Sequence, residues 1–292
     1  MRRSMLFLPG NTPNMLINGN CLGADAVIFD LEDAVSPAEK DSARILVRNT
    51  IRYMDFRGCE IIVRINSIDT PFWKRDLDEI LPWQPALILL PKTNTAQDAL
   101  AADAYMSEVE KRLGLPAGKV GLMPLIETAL GVENAFAIAS CCGRVRALFL
   151  GAEDLTADLR CKRTKEGREI EYARTRLVMA ARAAGVEVYD TPFTDVNDDA
   201  GIRADAEYAK GLGFSGKSAI SPRHVNVINR VFSPSQADID YAYEVMDTIT
   251  RAKAQGKGAV SLRGKMIDAP IVTRAEQTIA MAEELGLGRR EV

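Results

Sequence analysis

Short apolar runs recur along the chain, each followed by a longer stretch rich in alanine and charged residues. The first four are "SMLFL" (Ser4 to Leu8), "AVIFD" (Ala26 to Asp30), "EIIVRI" (Glu60 to Ile65) and "ALILL" (Ala86 to Leu90). "VGLMPLI" (Val120 to Ile126), "ALFL" (Ala147 to Leu150), "EVYD" (Glu187 to Asp190) and "KSAI" (Lys217 to Ile220) complete the series. These runs are nearly continuous rather than alternating, which is the pattern of parallel strands covered on both faces. The stretches between them carry helix signals. Ser36, Pro37 and Glu39 read as a capping box with proline at the first helical position. Thr95 to Leu113, Gly131 to Ala139 and Glu166 to Ala184 read as further helices, the last ended by Gly185. Eight strand–helix alternations in about 230 residues predict an α/β fold, a (β/α)8 TIM barrel; an open doubly wound sheet is the alternative.

The alternation stops after Phe232. "SPSQADIDYAYEVMDTITRAKAQG" reads as one capped helix, "KGAVSLRGKMIDAP" as a glycine-punctuated segment, and a final helix runs to about Gly286. The expected organisation is a catalytic barrel over 1–232 and a C-terminal helical extension with a lid loop over 233–292.

One motif invites a different reading. "GLGFSGKS", Gly211 to Ser218, matches the phosphate-binding loop of nucleotide hydrolases. That loop needs a strand before it and a helix after it. Here a helical pattern precedes and the short run "SAIS" follows, so the glycines are a helix end and a turn into a strand.

Bulk properties narrow the chemistry. The chain has 292 residues, 47% apolar and 26% charged, with a net charge of −3, so no nucleic acid is expected as partner. No secretory leader is apparent, and no apolar stretch approaches the roughly 20 residues a membrane span needs. The five cysteines form no C-x-x-C pair and are odd in number, which favours free thiols in the cytoplasm. With the single histidine, His224, read as structural or surface, any metal should be a hard cation held by carboxylates.

In a barrel the chemistry lies at the carboxyl ends of the strands. Those ends deliver Asp30, Glu32 and Asp33, then Arg64, Lys92, Glu127, and finally Glu153 and Asp154. Glu127 and Asp154 on adjacent strands could together hold Mg²⁺. The small Gly151 and Ala152 let a ligand approach the backbone, and Glu153 stands beside them. Arg64 offers a planar fork to a carboxylate. This combination suits a 2-oxo or 2-hydroxy acid whose developing negative charge is stabilised by a cation.

The blocks "RRSMLFLPGN", "FDLEDAV", "VRIN", "LPKTNTAQD", "IETALG", "LGAEDL", "GFSGKSAISPR" and "GKGAVSLRGKMIDAP" follow one another in a fixed order. By them the chain resembles the citrate lyase beta and malyl-CoA lyase family of acyl-thioester lyases, nearly end to end. "LPKTNTAQD" and "GKGAVSLRGKMIDAP" are more similar to the citrate lyase beta chains within it.

The resemblance implies Mg²⁺ on Glu127 and Asp154, a substrate carboxylate on Arg64, and an acid/base aspartate, Asp268, delivered from an adjacent subunit. Asp268 equally reads as a helix N-cap ahead of Pro270. It further implies a homotrimer or homohexamer working with citrate lyase alpha and gamma (acyl-carrier) chains. The reaction implied is cleavage of citryl thioester, on acyl-carrier protein or CoA, to oxaloacetate and acetyl thioester. Asp30, Glu32 and Asp33 would then orient Arg64 and the cation's water, Arg3 and Lys92 would stand at the mouth, and Lys217 is either structural or a contact for a pantetheine phosphate. The alternatives are a stand-alone malyl- or citramalyl-CoA lyase or thioesterase on the same site, and a non-catalytic carrier-docking subunit.

Overall fold

Each apolar run becomes a strand because both of its faces find a partner. The computed structural model describes residues 1–254 and 260–289. The strands are β1 (Ser4–Pro9), β2 (Ala26–Asp30), β3 (Glu60–Arg64), β4 (Leu87–Leu90), β5 (Gly121–Ile126), β6 (Ala147–Leu150), β7 (Glu187–Asp190) and β8 (Gly216–Ala219). All are parallel in sequential order, and β8 returns to β1 with Ser4 opposite Lys217 and Leu6 opposite Ala219. The sheet is therefore a closed barrel, and the open-sheet alternative is excluded.

Met5, Ile28, Ile62, Leu89, Met123, Leu125, Phe149 and Tyr189 fill the interior. Their neighbours Leu6, Val27, Phe29, Val63, Ile88, Leu122 and Leu148 turn outward into the layer shared with the helices. Each large side chain so buried contributes about 1.5–3 kcal/mol against the cost of ordering the chain.

Closure of the seam demands a glycine. A Cβ on Gly216 would sit 2.1 Å from the Arg2 carbonyl oxygen, so β8 can approach β1 only without a side chain there. The run "GLGFSGKS" is accounted for by this geometry. Helix Asp199–Leu212 ends on Gly213 at φ 105°, and β8 follows three residues later.

Helix boundaries depart from expectation at Ser36, at Gly131 and at Glu166, where a 3₁₀ turn over Arg168–Ile170 precedes a helix that runs only over Glu171–Ala184. The capping box at Ser36 does not form: its hydroxyl goes to the Glu39 carboxylate at 3.1 Å, and residues Pro37–Glu39 make a 3₁₀ turn. The helix proper, Lys40–Tyr53, starts where Lys40 turns its ammonium back onto the carbonyls of Leu31 and Glu32, at 2.8 and 2.6 Å. A true capping box closes instead between Thr95 and Asp98, ahead of helix Ala96–Leu113. The segment expected as one helix from Gly131 divides into Ala129–Glu133 and Ala135–Ser140.

Arg3, expected near the mouth, is elsewhere, and Lys217 takes the structural one of its two expected roles. Arg3 precedes β1 and so lies at the amino end of the barrel, forked onto Asp25 at 2.7 and 2.8 Å. Lys217 is wholly buried between barrel and helices, 2.6 Å from both Asp190 and Asp205, while Arg174 bridges the same two carboxylates. Two cations thus neutralise two anions in a dry layer, so Lys217 is structural and meets no phosphate. Lys217→Met should leave a buried carboxylate underpaired and lower unfolding stability by about 3–5 kcal/mol, measured by urea denaturation. A loss below about 1 kcal/mol would show the quartet to be dispensable.

From Ser233 onward the chain forms a second compact unit. Helix Gln236–Ala254 and helix Ala269–Glu284 flank a small antiparallel hairpin, β9 (Val260–Leu262) and β10 (Lys265–Ile267). Arg263 and Gly264, at φ 49° and 77°, make the tight turn that two-residue hairpins favour. Ala242, Val245, Ile267 and Ala275 pack as its core. The first residues of the expected lid loop, 257–259, lie outside the described residues. Among the described residues no helix is long and apolar enough to cross a membrane.

Candidate active site

The carboxyl ends of β1, β2, β3, β5, β6, β7 and β8 line a cavity of about 280 Å³ at that face of the barrel. Its polar side is formed by Asp30, Arg64, Glu127, Glu153 and Asp154; Phe7, Leu125, Phe149, Pro192 and Ile220 form its apolar side.

Asp30, the last residue of β2, anchors Arg64. It accepts from Nε and Nη2 at 2.7 and 2.6 Å, and from the backbone N–H groups of Glu32 and Ala34 at 2.9 and 3.2 Å. The remaining guanidinium nitrogen, Nη1, faces Glu32 at 3.1 Å, and the plane lies 5.2 Å above the Phe7 ring. Phe149 meets Phe7 edge-on at 5.9 Å, so an aromatic floor fixes the arginine from below. Burial opposes the charge on Arg64, but Asp30, Glu32 and Glu127 hold its pKa above the usual value.

Glu127 and Asp154 meet as expected from adjacent strands. Both carboxylates line the same cavity, and Glu127 accepts from the Lys92 backbone N–H at 2.6 Å. Burial, then the charges of Glu32 and Asp154, push the Glu127 pKa up to about 9. Gly151 makes the room: a Cβ there would lie 2.7 Å from Glu127 Oε2. Two hard oxygen donors in one cavity wall, in a space held open by a glycine, fit Mg²⁺. His224 is buried in helix Pro222–Phe232 against Phe193, so it is structural and not a ligand here.

The sign of the resulting linkage follows directly. Glu127 holds its proton from its unfolded pKa near 4.5 up to about 9, so metal-free stability falls as pH rises through that window. Mg²⁺ must displace this proton, so its affinity should climb with pH across the same range. Titration calorimetry near pH 7, in two buffers of different ionisation enthalpy, should show about one proton released per Mg²⁺. Binding without proton release would refute the raised Glu127 pKa.

Lys92 and Glu32 complete the polar wall. Lys92 Nζ lies 3.1 Å from Glu32 and 3.7 Å from Asp33. Burial works against this ammonium, yet its hydrogen bond to Glu32 and the surrounding carboxylates leave its pKa raised. Its backbone sits at φ 52°, a left-handed conformation that costs a non-glycine residue about 1–2 kcal/mol and here aims its N–H at Glu127. Burial likewise raises the Glu32 pKa despite Arg64 and Lys92 nearby.

The other expected residues stand apart to different degrees. Asp33 is exposed and touches only Lys92's end of the wall. Glu153 turns toward Arg163 at 3.5 Å, not toward Glu127. Ala152 directs its N–H to Thr191 Oγ1 at 3.2 Å. Asp268 belongs to the C-terminal unit, where it caps helix Ala269–Glu284 and accepts from the Ile271 N–H at 3.3 Å. Phe7, Phe149 and Thr191 also line the cavity, and nothing in their uncharged side chains set them apart in the sequence.

A closed parallel barrel with a cavity of carboxylates and arginine at its carboxyl end is a (β/α)8-barrel enzyme. The chain belongs to the HpcH/HpaI aldolase/citrate lyase family, whose model matches residues 3–222 and whose members are carbon–carbon lyases. It is 42% identical to the citrate lyase subunit beta of Leuconostoc mesenteroides subsp. cremoris, over 97% of this chain and 93% of that one. Among solved structures, the protein CitE from Mycobacterium tuberculosis in complex with magnesium, acetoacetate and coenzyme A matches with a TM-score of 0.77 at 29% identity, covering 97% of this chain and 98% of that one. The citrate lyase beta subunit from M. tuberculosis complexed with oxaloacetate and magnesium matches with a TM-score of 0.67 at 29% identity, covering 80% and 97%.

Proposed function

We propose that the protein cleaves a citryl thioester to oxaloacetate and an acetyl thioester, as the beta subunit of a cytoplasmic citrate lyase whose acyl group rides on a carrier protein. The observation that carries this reading is the Glu127–Asp154 carboxyl pair, set in one cavity with the anchored guanidinium of Arg64. Mg²⁺ held by Glu127 and Asp154 would supply positive charge to the oxygens of the 2-hydroxy acid.

Asp30 holds two edges of Arg64, so a substrate carboxylate is met by the guanidinium edge that now faces Glu32. Glu32, with its pKa raised by burial, is the base suited to take the hydroxyl proton. As that proton leaves, the C–C electron pair passes to the carbon next to the thioester carbonyl, and a new C=O forms on the oxaloacetate side. The resulting thioester enolate must be protonated. Asp268 of an adjacent subunit in a homotrimer or homohexamer is assigned to this, supported by the family resemblance and by its exposure at a helix start. Asp33 and Lys92 keep Glu32 in place, and the aromatic floor excludes water beneath the reacting carbons.

A second reading keeps the site and changes the carrier: coenzyme A is present in the M. tuberculosis CitE complex, so a CoA thioester is the competing substrate. Oxaloacetate or glyoxylate release should be followed with citryl and malyl thioesters, each on carrier protein and on CoA. Cleavage of citryl-carrier protein at the highest kcat/KM is expected; a preference for malyl-CoA would overturn the citryl assignment.

A further inference from the structure

A built segment stands at the rim of this cavity whose charges the reaction does not use. It runs from Leu159 to Arg168, directly after helix Ala152–Asp158 that carries Glu153 and Asp154. Internal bonds fix it. Glu169 accepts from the Thr164 N–H and hydroxyl at 2.9 and 2.7 Å and from Arg163 at 2.7 Å. The Cys161 N–H returns to the Thr156 carbonyl at 3.0 Å, and Lys165 is held by Asp195 and Asp198 at 2.6 and 2.9 Å. Those bonds consume the charges of Arg163 and Lys165. Arg160, Lys162 and Arg168 are exposed, and among the described residues their side chains have no partner, against the single unpaired carboxylate of Glu166.

Apolar surface accompanies these cations. The Ala129 N–H donates to Asp158 at 2.7 Å, which ties the start of the next-door helix to this segment. Leu130 and Leu159, each one residue beyond that bond, are 56% and 43% exposed. Arg163 also reaches Glu153, next in sequence to Asp154, so the rim is coupled mechanically to the carboxylate pair.

We propose that this rim, Arg160, Lys162 and Arg168 around Leu130 and Leu159, is the docking surface for an acidic protein domain that delivers the thioester. The inference rests on the thioester reading of the site, and it names which carrier the site is built for. Unpaired cations held on an ordered segment attract an acidic helix without first surrendering other contacts, and the leucines give that helix apolar anchors. A small-molecule carrier needs no such extended face.

The test uses the full chain with all three cations reversed, Arg160→Glu, Lys162→Glu and Arg168→Glu. The probes are a phosphopantetheinylated acyl-carrier protein of net negative charge bearing a citryl group, and citryl-CoA. The expected result is a rise of about tenfold in KM for the carrier-borne substrate, with kcat at saturation kept and the salt dependence of kcat/KM flattened. KM for citryl-CoA should move less than about twofold, because these residues touch neither Glu127 nor Asp154. An equal rise with both substrates would overturn the proposal in favour of phosphate recognition, and no rise with either would overturn it outright. Should the parent cleave neither substrate, the thioester reading falls separately. Direct binding of the unloaded carrier protein, read by fluorescence anisotropy, then decides the rim: loss of binding in the triple variant supports it, and unchanged binding overturns it.

Discussion

Asp154→Asn is expected to fold as the parent does and to lose Mg²⁺-dependent thioester cleavage by about a thousandfold or more. Burial and the nearby charges of Glu32 and Asp154 hold the Glu127 pKa up to about 9, so an amide at position 154 removes one of the repulsive charges beside it. The melting temperature without Mg²⁺ should therefore match or exceed the parent's. With Mg²⁺ the two proteins diverge: the parent gains stability by mass action and the variant does not. Removing one of two anionic oxygens from a hard-cation site forfeits several kcal/mol of transition-state charge stabilisation, and each 1.4 kcal/mol is tenfold in rate. Calorimetric melting with and without Mg²⁺, beside an oxaloacetate-release assay, reads both. Full activity in the variant would sink the metal assignment.

Arg64→Lys should lower kcat/KM for the citryl thioester by about a hundredfold or more, although charge is conserved. Arg64 bonds Asp30 through two nitrogens, faces Glu32 with the third and rests on Phe7. An ammonium offers no planar fork and cannot hold Asp30 through two parallel bonds while keeping an edge for substrate. It also leaves the nearly inaccessible Asp30 carboxylate underpaired, so a stability loss should accompany the kinetic one. A variant within about threefold of the parent would remove Arg64 from substrate binding.

Much of this was legible in the residues, and the exceptions share physical causes. Continuous apolar runs such as "AVIFD" and "ALFL" announce strands sandwiched between an inner and an outer layer, and the structure buries every residue of both. The position of Glu127 and Asp154 at neighbouring strand ends follows from barrel order alone. Ser36 failed as a cap because Lys40, four residues on, found better partners in the carbonyls of Leu31 and Glu32. That is a tertiary contact no local pattern encodes. The structural role of Lys217 was foreshadowed by its place at a strand start, but its partners Asp190 and Asp205 come from distant segments that no local pattern names. The left-handed backbone of Lys92 was equally hidden, since glycine, not lysine, advertises that conformation. The hairpin turn at Arg263 and Gly264 carried a visible glycine but only three residues per strand, too few for a periodicity to declare itself.

The seam between β8 and β1 also sets a timetable. Ribosomal synthesis is directional, so Ser4 to Leu6 emerge early while their partners Lys217 to Ala219 emerge after most of the chain. Until then β1 has one paired edge at most, and its other row of amide and carbonyl groups stands open to any strand it meets. A nascent chain stalled before Gly216 would be a seven-stranded sheet with two sticky borders. The last few residues of the barrel thus protect the first few from association with neighbouring chains on the same messenger.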